Sequence, residues 1–441
     1  MEAERPSVRE ARVAEPRSLL TIARLGACTI PSPLRDVAFL DETAHVLRDS
    51  DLASLEQAQS EGRRPDHFDK AGPRAGIYFD PSKLKCGIVT CGGLCPGIND
   101  VIRSLVMSLH YQYGVRSILG FRYGYEGLTR RHGHAPVELR PEDVSHIHEH
   151  GGTILGSSRG PQDVGDMVDT LERMKIGILF TIGGDGTLRG AHALAGEIAA
   201  RGLKIAVVGI PKTIDNDIAS VQTSFGFHTA VSEARRATYA AHNEARGGRN
   251  GVGLVKLMGR DSGFIAAYAT LADSQVNFCL IPESSFTLTG FLGALRERIE
   301  RRGHAVIVVA EGAGHALSEA VQGTDTSGNV QYRDIGILLR ESIREDFSAT
   351  GLELNLKYID PSYIIRSMPA NAFDSAFCQV LGQSAAHAGM AGNTDLVVGV
   401  WNDQFTHVPI PVAVSERKKV DLRGWLWRSV LASTGQPFEM L

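Results

Sequence analysis

The sequence predicts an α/β protein: two doubly wound, mainly parallel-sheet, Rossmann-like domains behind an N-terminal extension. Three observations lead there. From Lys85 onward, short apolar runs recur, namely "CGIVT", "SILGF", "GILFTIGG", "KIAVVGIP", "GVGLVKLMG", "FCLIP", "HAVIVVAEG" and "DLVVGVW". They are continuous Val/Ile/Leu runs, not apolar/polar alternations, which marks strands covered on both faces. Longer helical patterns separate them, among them Met167 to Lys175, Leu188 to Arg201 and Phe225 to Arg246. Turns rich in glycine, aspartate and threonine close the runs at their carboxyl ends, where open α/β sheets bind ligands.

Size agrees with two or three domains, because 441 residues exceed what one compact core usually holds. Residues 1–76 are charged and irregular, with a weak helical patch at Asp51 to Gln59 and a connector at "AGPRAG". They read as an extension wrapped on the main body, its first fifteen or so residues expected to be disordered. A net charge of −4 gives no overall pull toward nucleic acid or acidic lipid. No run of about 18 apolar residues is present to span a bilayer. The N-terminus lacks a signal peptide's apolar core and "FEML" is no retention tail, so a cytoplasmic protein is expected.

The first turn, "TCGGLCPGIND", lies between the strand pattern Lys85 to Val89 and the helical pattern Val101 to Leu109. Its glycines suit a phosphate cradle. Cys91 and Cys95 could instead be metal ligands, but no second pair of matching spacing completes a tetrahedral site. The second turn, Ile182 to Leu188, carries Gly184, Asp185, Gly186 and Thr187 between a strand and a helix. Backbone amides there can meet a phosphate, with Asp185 facing a magnesium ion, although a tight turn with a helix cap explains the turn equally well. The third turn, Gly209 to Asp217, offers Lys212 as a cation, Thr213 as a hydroxyl and two aspartates two apart, Asp215 and Asp217. Asx turns and helix caps also use such residues.

Further polar groups close later strands. Met258, Gly259 and Arg260 follow "GVGLVKL", Glu311 follows "AVIVVA", and Tyr363 and Arg366 follow the segment containing Lys357. Arginine grips phosphate bidentately, whereas an arginine at a strand end is often only solvated. The histidines of "HIHEH", His146 to His150, and "RHGH", His132 to His134, could share a strand face as metal ligands. They sit in connector sequence and read as solvated surface residues.

Taken in order, "YFDPSKLKCGIVTCGGLCPGIND", "GFRYGYEGL", "LGSSRGPQD", "IGGDGTLRGA", "PKTIDNDI", "TSFGFHTAV", "VKLMGRDSGFIAA", "AEGAG" and "YIDPSYIIRS" resemble the 6-phosphofructokinases. The resemblance spans about residues 77 to 415. It is to the longer branch, with ATP-dependent enzymes of trypanosomatids, spirochaetes and plants and pyrophosphate-dependent relatives. It implies the phosphofructokinase fold, with a nucleotide-binding unit at 77–225, a fructose 6-phosphate unit at 226–400 and a C-terminal segment at 401–441 that partly returns to the first unit. It also implies transfer of the γ-phosphoryl of ATP to the 1-hydroxyl of fructose 6-phosphate, with Mg2+ as cofactor, in a homotetramer.

The resemblance assigns Gly92, Gly93, Arg159, Gly184, Asp185, Gly186 and Thr187 to the nucleotide, Asp185 to the metal and Asp215 to the general base. Lys212, Thr213, Asp217 and Arg260 complete the reacting centre. Met258, Gly259, Arg260 and Glu311 fall to the fructose, and Lys357, Tyr363 and Arg366 to its 6-phosphate. Shorter bacterial enzymes typically carry arginine and histidine where this chain has Lys357 and Tyr363. Pyrophosphate-using relatives usually carry aspartate in place of Gly186, which points to ATP here, whereas Lys212 is shared with them. A pyrophosphate-dependent enzyme and a catalytically silent sugar-phosphate sensor are the alternatives. Lipid and nicotinamide-nucleotide kinases share "GGDGT" but not the other motifs.

Overall fold

A computed structural model describes residues 19–317, 320–324 and 330–441. The expectation of disorder for the first fifteen residues lies outside the described residues. In chain order, the elements that build the sheets and their flanks are β1 (His45–Leu47), α1 (Leu52–Ser60), β2 (His67–Lys70), β3 (Lys85–Thr90), α2 (Ile98–Met107), β4 (Ser117–Phe121), β5 (Val137–Glu138), α3 (Val164–Arg173), β6 (Ile178–Gly183), α4 (Asp185–Ala200) and β7 (Ala206–Pro211). They continue with α5 (Phe227–Gly247), β8 (Gly251–Leu257), α6 (Phe264–Ala272), β9 (Phe278–Leu280), α7 (Leu288–Arg302), β10 (His304–Ala310), α8 (Ile335–Thr350), β11 (Asn355–Ile359), α9 (Ser362–Arg366), α10 (Ala372–Met390), β12 (Leu396–Trp401), β13 (Gln404–Pro409) and α11 (Trp425–Thr434).

Two principal sheets result. The larger has the order β1-β2-β13-β12-β7-β6-β3-β4-β5, and the smaller the order β9-β10-β8-β11. Pairing is parallel from β12 through β7, β6 and β3 to β4, and throughout the smaller sheet. Within these two sheets, antiparallel pairing is confined to the flanks of the larger one. Apart from the exposed Lys85 that opens β3, strands β3, β6 and β7 are mainly apolar and buried because helices cover both faces. The extension is not a separate body: β1 and β2 pair onto β13. The chain returns to the larger sheet at Leu396, while α11 packs on α6 beside the smaller one.

Helix boundaries follow local chemistry that periodicity misses. α3 starts ahead of the apolar pattern because the Asp163 side chain accepts the Asp166 amide, satisfying an orphan donor. α2 starts at Ile98 after a left-handed Gly97 and ends in a wide turn at Ser108–Gln112. "HIHEH" forms a short 3-10 turn at Ile147–Glu149, not a strand, so its alternate histidines share no strand face.

The long helix α5 joins the two sheets. Its small buried residues Ala234, Ala241 and Ala245 let the backbone lie close on β8, where a Cβ at Gly253 would stand 2.7 Å from the Ala241 carbonyl. The helix is entered through Gly226, whose φ of 84° is costly for other residues. A Cβ there would strike the Cys95 sulfur and come within about 3.1 Å of Ile214. Gly226 thereby lets the first and third turns pack together. Gly226→Ala is expected to destabilise the protein by about 1–3 kcal/mol through backbone strain and overpacking, read as a lower midpoint in a thermal melt.

Candidate active site

The parallel register sets the C-terminal ends of β3, β6 and β7 side by side, with Thr90 opposite Ile182 and Pro211 opposite Gly183. The first three turns therefore emerge at one edge. Gly92, at φ 84°, and Gly93 form the first. The buried Lys212 ammonium donates to the Gly93 carbonyl over 2.6 Å, and a Cβ on Gly93 would lie 3.3 Å from the Arg159 guanidinium. Ser157 donates to the Gly92 carbonyl over 2.6 Å, fastening the Arg159 segment to the same turn. Two glycines and two cations thus share one cradle. Cys91 and Cys95 are buried thiols pushed up to about 12 by desolvation, so they pack as neutral groups.

In the second turn, Gly184 ends in extended backbone and Asp185 begins α4. A carboxylate at a helix N-terminus is favoured by the helix dipole. Asp185 accepts from Arg189 over 3.1 Å and keeps one face open. Around Gly186 a Cβ would meet no atom within 4 Å. Thr187 is buried against Gly183, its carbonyl accepting from the Tyr125 hydroxyl over 2.7 Å. Its side chain shapes the turn from beneath.

The third turn is knotted by its own side chains. Thr213 donates to Asp217 over 3.0 Å, and its oxygen accepts the Asp215 amide over 3.1 Å. The Oδ1 of Asp215 is sealed from solvent without a hydrogen-bond partner. Desolvation first, then the charges of Asp217 and Glu311, push the Asp215 carboxyl up to about 7, against the pull of Arg366. Lys212 is likewise lowered by burial.

The loop after β8 faces this carboxylate. Ser262 donates to the Asp215 carbonyl over 3.0 Å, and the Arg260 backbone amide hydrogen-bonds the Asp215 side chain. Met258 is buried, and Gly259 adopts φ 115°, where a Cβ would stand 2.5 Å from the Ser262 carbonyl. Glu311, one strand over, is exposed and close enough to influence Asp215. Arg366 acts on both Asp215 and Lys212, and the backbone of the next residue, Ser367, lies against Gly151. Lys357 and Tyr363 differ. Lys357 is exposed on edge strand β11, level with Gly253 in mid-strand, and Tyr363 is 80% exposed.

A phosphofructokinase family model matches residues 85–389. The chain belongs to the phosphofructokinase family. Among similar proteins, the ATP-dependent 6-phosphofructokinase of Borreliella burgdorferi is 49% identical over 95% of this chain and 97% of its own length. The ATP-dependent 6-phosphofructokinase of Trypanosoma brucei brucei is 44% identical over 93% of this chain and 86% of its own. The crystal structure of a pyrophosphate-dependent phosphofructokinase from Marinobacter aquaeolei superposes with a TM-score of 0.65 at 20% identity, covering 80% of this chain and 91% of that one. At that identity the likeness speaks for the fold alone.

Two residues of this phosphofructokinase cleft escape sequence reasoning. Arg417 donates to Asp217 over 2.7 Å, and its neighbour Lys418 donates to Asn216 and to the carbonyls of Val221 and Gln222. Both lie some 200 residues from their partners in a segment with no motif, so only folding reveals them. Burial lowers Lys418 to about 8. Among the described residues, Glu126, His132 and His134 bring ligand atoms within 4.8 Å of one another. The His132 and His134 rings stack in parallel, their centres 6.0 Å apart.

The raised carboxyl of Asp215 has two measurable consequences. A value near 7 in the fold against about 3.9 unfolded means the folded chain holds this proton longer. The Asp215 contribution to stability therefore falls as pH rises between about 4 and 7. Asp215→Asn should raise the thermal midpoint at pH 8 and do so much less at pH 5. If the ionised carboxylate is the active form, kcat/KM of the unaltered protein should fall below an acid limb near pH 7.

Proposed function

We propose that the chain is an ATP-dependent 6-phosphofructokinase that transfers the γ-phosphoryl group of ATP to the 1-hydroxyl of fructose 6-phosphate. One observation carries this reading: the half-buried, proton-retaining Asp215 lies between the Gly92–Gly93 cradle with Lys212 and Arg159 on one side and Arg260, Glu311 and Arg366 on the other. The high identity to ATP-dependent relatives over nearly the whole chain supports the same donor. We assign the larger sheet to the nucleotide and the smaller to the sugar.

A sugar hydroxyl is barely acidic, so a base poised near neutral pH is useful. Asp215 takes the proton of the 1-hydroxyl as the oxygen attacks the γ-phosphorus, and the bond from that phosphorus to the β-γ bridging oxygen breaks to release ADP. Thr213 and Asp217 fix the backbone that presents Asp215. Lys212 and Arg159 offset the donor's charge, and Arg260 and Arg366 orient the sugar phosphate ester against the cradle. Such cations act most strongly as charge shifts toward the leaving oxygen.

Asp185 suits Mg2+: it is a hard oxygen donor, partly open, at the end of the cradle, with Asp217 nearby on the other side of Arg417. When bound, the ion neutralises the donor's phosphates. Lys357 and Tyr363, exposed in the single chain, serve the 6-phosphate from the outer rim on this reading. A homotetramer in the cytoplasm is the accompanying proposal.

The assay is direct: purified protein with fructose 6-phosphate, ATP and magnesium should release ADP. Lack of turnover with retained sugar binding would favour the sensor instead. Asp215→Asn should lower kcat by about 10²- to 10⁴-fold while both ligands still bind by calorimetry. Gly186→Asp should fill the open space with a carboxylate and depress kcat/KM for ATP about 100-fold or more, leaving fructose 6-phosphate affinity nearly unchanged. Comparable rates with ATP and pyrophosphate in the unaltered protein would overturn the donor assignment.

A further inference from the structure

The segment Ser415–Val420 crosses the cleft between the two sheets, and the Arg417 and Lys418 side chains are engaged there. Arg417 forms an antiparallel bridge with Ile218, and the Lys418 amide donates to the Asp217 carbonyl over 2.8 Å. The Lys418 ammonium caps the loop after Asp217 through three acceptors and lies 5.2 Å from the centre of the Phe264 ring. Glu283 accepts the Val420 amide over 2.8 Å and the Gly263 amide over 3.0 Å, tying this segment to the loop that carries Arg260. Arg417 is therefore presented from a braced backbone.

Its guanidinium reaches three turns at once. The distances are 2.7 Å to Asp217, 3.2 Å to Asp261 and 4.0 Å to Asp185. These carboxylates come from the turns after β7, β8 and β6, that is, from both sheets. From Asp217 the connection continues inward: Thr213 donates to Asp217, and the Thr213 oxygen accepts the amide of Asp215. Asp217 is buried, and without Arg417 its second oxygen would lose a charged donor beside a base that must itself carry charge.

We infer that Arg417 is a positioning residue for phosphoryl transfer: it holds Asp217, and through Thr213 the backbone of Asp215, in register with the sugar-side loop at Asp261. This rests on the phosphoryl-transfer reading of the same cleft. It makes the C-terminal segment part of the reacting centre, acting through Asp217 without touching the reacting atoms. The braced backbone matters because a misplacement of about 1 Å at a reacting group can cost about 100-fold in rate.

The test compares unaltered protein with Arg417→Gln, Arg417→Lys and Arg417→Ala. Arg417→Gln should lower kcat by about 10- to 100-fold with KM for both substrates within about threefold, and Arg417→Lys should recover part of the loss. Millimolar guanidinium should partly restore Arg417→Ala. In a double-mutant cycle, Arg417→Gln and Asp217→Asn should be non-additive in kcat, because both act along one chain of contacts. A kcat for Arg417→Gln within twofold of the unaltered protein, a change confined to KM, or an additive cycle would overturn the inference while leaving the kinase reading intact. Should Arg417→Gln fail to fold, Arg417→Lys decides: a normal kcat with no response in the cycle rejects the role. Absence of turnover in the unaltered protein would remove reading and inference together.

Discussion

Negative charge is concentrated where it is least welcome. Asp185, Asp215, Asp217 and Asp261 gather at strand ends of both sheets, in the cleft proposed for a polyanionic donor. Two like charges 4 Å apart repel by roughly 4 kcal/mol at the effective dielectric of a protein surface. The arrangement survives because cations are built into the walls. Lys212 is buried between the first and third turns and donates to the Gly93 carbonyl; Arg417 spans three of the carboxylates. Asp215 is the exception. Among the described residues its Oδ1 has no partner, and it keeps its proton to about pH 7.

Parallel register makes this concentration possible. Each parallel strand of the larger sheet delivers its turn to the same edge, so residues far apart in sequence become neighbours without any one loop being long. The glycines at those edges serve approach as well as conformation. Gly93 admits Arg159, Gly259 admits the Ser262 carbonyl, and Gly226 allows α5 to begin against Cys95 and Ile214.

The sheets and the polar turns were legible because their causes are local. Continuous apolar runs announce buried strands, and "FIAAYATLA" announces α6 from Phe264 to Ala272. The convergence of Gly92, Gly93, Lys212, Asp215 and Arg260 follows from their shared position after parallel strands. Tertiary effects were not legible. The burial of Thr187 depends on Tyr125 and Gly183, and Arg417 and Lys418 meet partners about 200 residues away. Lys357 belongs to the motif by sequence, yet it sits in mid-strand on an exposed edge because β11 pairs with β8 from Gly251 to Val255.

The structure also reconciles two residues that point to different donors. Lys212, shared with pyrophosphate-using relatives, is fastened to the first turn, its ammonium on the Gly93 carbonyl and near Gly92. Gly186 lies at the start of α4, beside space with no atom within 4 Å of a Cβ. The lysine does not occupy the opening that the glycine leaves. On the proposed reading, one residue steadies the end of the donor where transfer takes place, and the other governs whether the site extends beyond it. Because these demands fall at different points along the cradle, a lysine at the first and a glycine at the second are compatible with a long, triphosphate-bearing donor.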